Sequence, residues 1–203
     1  MPQPIQISFF LCVVLSLSGC ASLNRSEPIP GVPQPVDRMR EIKELGENAK
    51  KVPPEKQQEY AETLALIARE ESDPLIRRQA VLSIAHFPTQ TSAETLQRAM
   101  SDSDREVRLA ACFGWYTYGG DEAAPALIEL LGKESDPDIR MEAIELLGKM
   151  KDKRAIPAFA APLSENNPAL QHFTVLALQE ITGARETDPR FWLAYCRGEA
   201  ELP

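Results

Sequence analysis

Along residues 57–183, apolar side chains recur at intervals of three and four, the period of a helix that buries one face. The recurrence itself repeats. Ile76, Ala80, Val81 and Ile84 are matched in order by Val107, Ala111, Cys112 and Trp115, by Ile139, Ala143, Ile144 and Leu147, and by Leu170, Thr174, Val175 and Leu178. A second amphipathic stretch precedes each run, over about 57–71, 92–101, 121–133 and 154–164, with Leu64, Ile67, Leu96, Leu127, Leu130, Leu131, Ile156 and Phe159 on its apolar side. Neither helix of a pair can bury its face alone, so neighbouring pairs must stack. The pattern predicts an all-α fold, a right-handed α-solenoid of about four helix pairs. A helix over 37–49 caps one end, and a helix bearing Phe191, Trp192 and Tyr195 caps the other.

The start of each second helix carries a fixed motif, Asp-x-x-Ile/Val-Arg-x-x-Ala, at Asp73–Arg77–Ala80, Asp104–Arg108–Ala111 and Asp136–Arg140–Ala143. The arginines advance from 77 to 108 to 140, and Gln171 continues the series in a fourth copy that opens on Asn167. Aspartate is a favoured N-cap, and proline costs nothing at the first helical position, where Pro74, Pro137, Pro168 and Pro189 stand. Each Asp–Arg pair, four residues apart, is expected to interact at its helix start. These residues resemble the HEAT-like repeats of the phycobilisome-lyase type over roughly 57–183. That resemblance implies a ladder in which Arg77, Arg108 and Arg140 meet Asp73, Asp104 and Asp136 of neighbouring units. The fourth unit, with Asn167 and Gln171, reads as the last rung. The stretch Ile181–Gly183 followed by Asp188–Trp192 is similar to the close of many bacterial HEAT-like lipoproteins.

Residues 5–17 are almost continuously apolar, too short to cross a bilayer as a helix but suited to the core of a secretory leader. Leu17-Ser18-Gly19-Cys20 follows and resembles the lipobox of bacterial lipoproteins. The resemblance implies a leader over 1–19 and a lipidated Cys20, which places the protein in the cell envelope, facing away from the cytoplasm. Ala21 favours the outer membrane, on its periplasmic side, in a host with two membranes. Met1-Pro2-Gln3-Pro4 departs from the pattern in lacking Lys or Arg. Pro28, Pro30, Pro33 and Pro35 make residues 20–36 an extended tether of about 40–50 Å, which leaves 37–203 for the repeat domain.

Charge and composition narrow the function. With 30 acidic against 22 basic residues, the chain has no electrostatic footprint for nucleic acid. Four cysteines are too few for a disulfide scaffold, and Cys112 and Cys196 are expected as separate thiols. There is no clustered metal-ligand set, no phosphate-binding glycine motif and no nucleophile with its base, so no catalytic residue, metal or cofactor is expected.

One helix breaks the amphipathic rule. Of two Trp, four Tyr and seven Phe, four fall between Phe113 and Tyr118. Leu109, Phe113 and Tyr116 recur on the side away from Val107, Ala111 and Trp115. Such a helix is either covered on both sides or used for binding. One expectation is a concave apolar strip of Leu82, Leu109, Phe113, Tyr116, Met141 and His172 that takes a protein or peptide partner. The other is that the N-terminal helix or tight packing between units buries these side chains. The predicted function is a noncatalytic, membrane-anchored protein-binding scaffold. The alternatives are a chromophore lyase or chaperone-like activity, implied by the lyase resemblance, or a purely structural envelope subunit.

Overall fold

The computed structural model describes residues 35–202; Cys20, the predicted leader and all but the last two residues of the predicted tether lie outside them. Ten α-helices are described. They are α1 (Pro35–Glu47), α2 (Pro54–Glu70), α3 (Pro74–Ile84), α4 (Gln90–Ala99), α5 (Arg105–Tyr118), α6 (Gly120–Lys133), α7 (Pro137–Met150), α8 (Ala160–Ser164), α9 (Pro168–Thr182) and α10 (Pro189–Cys196). There are 3-10 stretches at Ala49–Lys51 and Lys153–Phe159. No strand occurs among the described residues. Second helices pack in succession, α1 on α3, α3 on α5, α5 on α7 and α7 on α9, and first helices form the facing layer. The repeat columns lie between the layers and are buried, from Ile76 and Ile84 through Val107 and Ile139 to Leu170 and Leu178. This is the predicted α-solenoid.

Two boundaries differ from expectation. Helix α1 starts at Pro35, inside the predicted tether, because proline is as acceptable in a first helical turn as in an extended spacer. The first helix of the fourth pair is mostly 3-10, because Pro157 removes an amide in its middle and Pro162 follows in α8.

The second helices start as the motif predicts. The carboxylates of Asp73, Asp104, Asp136 and Asp188 and the amide of Asn167 each accept backbone N–H groups of their own first turn. The ladder is built otherwise than expected. No arginine pairs with the cap aspartate four residues before it, because those carboxylates are turned back over the helix amides. Each arginine reaches forward instead, to the acidic residue two positions before the next cap. Arg77 Nε and Nη2 bond Asp102 at 3.0 and 2.9 Å, Arg108 Nε bonds Glu134 at 2.8 Å, and Arg140 forms a fork with Glu165. Arg38 of α1 begins the series on Glu71 at 2.6 Å. Behind each forward contact, Nη1 of Arg77 and of Arg108 holds two carbonyls of its own loop. Gln171 keeps that backward role, donating to the carbonyls of Leu163 and Glu165, and makes no forward rung.

Helices α7 and α9 approach until a Cβ built on Gly148 would stand 2.9 Å from Cα and Cβ of Ala177. A glycine inside a helix costs up to about 1 kcal/mol relative to alanine, and here it admits the neighbouring backbone. Gly148→Ala is therefore expected to destabilise, since separating the helices costs about 1–3 kcal/mol. A denaturation midpoint at or above wild type would contradict that contact.

Candidate functional site

Helix α5 presents two apolar faces of different fate. Val107, Ala111, Cys112 and Trp115 are buried between the layers, whereas Phe113 and Tyr116 are 38% and 42% exposed. The helix that was expected to cover them, α1, packs on α3. Phe113 and Tyr116 are one turn apart and share a side of α5.

The expected six-residue strip is not one continuous apolar surface. Leu82, Leu109 and Met141 are partly buried and packed against the core. His172 sits edge-on to Phe173, with ring centroids 5.9 Å apart. In the repeat column of Phe113, α3 supplies Leu82 and α9 supplies Leu176, which is 42% exposed. Helix α7 places Glu145 between them, bonded to Lys149 at 2.6 Å. The apolar surface is thus an aromatic pair on α5 bordered by charge. Burial, then the neighbouring Glu145, raises the carboxyl of Glu142 above its ordinary range. Bonding to Glu145 raises the ammonium of Lys149. Charge therefore borders the aromatic pair on its α7 side.

Cys112 and Cys196 are free and buried, and burial pushes their thiols up to about 12 and about 11, away from reactive thiolate. Among the described residues no group of three His, Cys, Asp or Glu could hold a metal ion.

The seam between the second and third pairs has its own character. Here α5 and α7 make fewer close backbone approaches than α3 with α5 or α7 with α9. Polar links stitch the seam instead. Beyond the Arg108–Glu134 rung, Arg105 bonds Asp136 at 2.8 Å and Asp138 at 2.7 Å. Arg105 carried a signal in the sequence from which its role was not read: it stands where the other second helices carry proline.

The comparisons agree with this architecture. The family profile for HEAT repeats matches residues 61–147 and again 124–190. No curated protein matches the chain. The two matched spans cover well over half of the sequence and coincide with the stacked helix pairs: the chain belongs to the HEAT-repeat family.

Proposed function

We infer that this HEAT-repeat protein is a noncatalytic scaffold, held by a lipid on Cys20 at a membrane face outside the cytoplasm, that binds a protein or peptide partner on α5. The observation that supports the binding role is the exposure of Phe113 and Tyr116, side by side on a helix whose other face is locked into the core. Stacked repeats supply a rigid, extended platform, and aromatic side chains give large contact area at low entropic cost. The anchor rests on the apolar run over 5–17 and on Leu17-Ser18-Gly19-Cys20. Ala21 after the cysteine favours the outer membrane where the host has two.

A photo-crosslinking residue at position 113 is expected to trap a discrete partner in envelope extracts, whereas the same residue at exposed Leu66 on α2 traps none. Equal labelling from both positions would remove the case for an α5 surface. Cys20→Ala is expected to abolish fatty-acid labelling and release the protein from membranes; unchanged labelling would end the anchor assignment.

A further inference from the structure

The seam between the second and third pairs also opens in the layer of first helices. There α2 packs on α4 and α6 packs on the Lys153–Phe159 stretch, but α4 and α6 make no comparable contact. A groove of about 860 Å³ runs between them. Two residues at the opening depart from the other repeats. Trp115 puts an indole in the column that Ile84, Leu147 and Leu178 fill with aliphatic chains. Pro125, inside α6, lacks the amide that would bond the Asp121 carbonyl. That carbonyl accepts instead from Arg154 Nη1 at 3.1 Å, which ties the start of α6 to the fourth pair.

The groove has an apolar floor of Ala93, Trp115 and Ala126. Trp115 is 3% exposed, yet its Nε1 has no acceptor among the described residues. The walls carry Glu94, Asp121, Glu122 and Glu129 against a single cation, Arg98. Glu129 is already bonded to Lys133 and Gln97. Glu94 and Glu122 make no ion pair among the described residues, whereas Asp121 has the guanidinium of Arg154 close by. Nucleic acid and acidic peptides would be repelled.

We propose that this groove is a docking site for a cationic peptide segment, whose Lys or Arg side chains meet Glu94, Asp121 and Glu122 while an apolar side chain settles over Trp115. Trp115 Nε1, unsatisfied at the groove floor, would find its acceptor in a backbone carbonyl of a peptide seated deeply enough to reach it. The site is separate from the α5 aromatics, so either can fail without the other.

The test is fluorescence anisotropy of the full chain with a labelled synthetic peptide of alternating lysine and leucine, beside its glutamate–leucine counterpart. The basic peptide is expected to bind saturably, more weakly as salt rises, and to change tryptophan emission. Glu94→Gln with Asp121→Asn and Glu122→Gln should weaken binding about tenfold with the thermal midpoint retained. Arg98→Glu should tighten binding, which keeps the test valid if the triple variant is unstable. Phe113→Ser with Tyr116→Ser should leave the peptide's affinity unchanged. Undiminished binding by a folded triple variant, equal affinity for the glutamate peptide, or full competition by spermidine at the peptide's own concentration would each overturn the proposal.

Discussion

Glu134→Ala is expected to lower stability by about 2 kcal/mol, between the value of an exposed pair and that of a fully buried one, and to split unfolding into two steps. The Glu134 side chain is 5% exposed and does two jobs. It accepts from Arg108 Nε at 2.8 Å, and from the backbone amides of Ser135 and Asp136, both at 2.9 Å. Without it, Arg108 keeps only the carbonyls of Asp102 and Ser103, and the turn into α7 loses its acceptor. The loss falls on the seam where backbone packing is sparsest, so the two halves of the array uncouple there. Burial opposes ionisation of Glu134, but Arg108 and the two amides outweigh it and hold the carboxyl below its ordinary 4.5. A lowered carboxyl adds stability that is complete above the unfolded value and fades as pH falls through the folded one. The difference between wild type and Glu134→Ala should accordingly shrink below about pH 4. Denaturant titrations at neutral and acidic pH check both points. A loss under about 1 kcal/mol at neutral pH, the size of an exposed pair, would contradict the rung.

Trp192→Ala is expected to cost about 3–5 kcal/mol and to loosen the C-terminal end before the rest. The indole is fully buried, with edge contacts to Phe191 and Tyr195 at centroid distances of 5.7 and 5.5 Å. Its Nε1 donates to the Glu186 carbonyl at 2.9 Å. Helix α10 closes over α8, α9 and the Lys153–Phe159 stretch, so the cavity would lie under the terminal seal. Trp192→Phe should cost less, since the ring is largely retained and about 1 kcal/mol of hydrogen bonding is lost. Hydrogen exchange would show the alanine variant opening first in α9 and α10; uniform protection loss along the chain would contradict a terminal cap.

The repeat was legible because its signals are local. Cap, first-turn proline and apolar column all lie within one helix, and Asp73, Asp104 and Asp136 cap as their spacing implies. The ladder was misread because its contacts are not local. Arg77 and Asp102 are 25 residues apart, against a repeat of about 31, and Asp102 lies in a loop that reads as ordinary solvated chain. A trace of it was present all the same: Glu71, Asp102, Glu134, Glu165 and Glu186 each stand two residues before a cap. The α5 surface was legible as two apolar faces on one helix. Its extent was not, because Glu145 breaks the column and only the structure shows it held by Lys149. The groove over Trp115 was invisible, since it depends on two helices whose backbones stand apart, bridged by Gln97 and Glu129.

The central claim, that Phe113 and Tyr116 form a surface for binding and not a buried part of the fold, meets its most direct test in Phe113→Ser with Tyr116→Ser. Thermal melting should match wild type to within the small effect of exposed substitutions, about 0.5 kcal/mol, while capture of the partner crosslinked from position 113 disappears. Loss of folding in the double variant, or undiminished capture by a folded one, would contradict it.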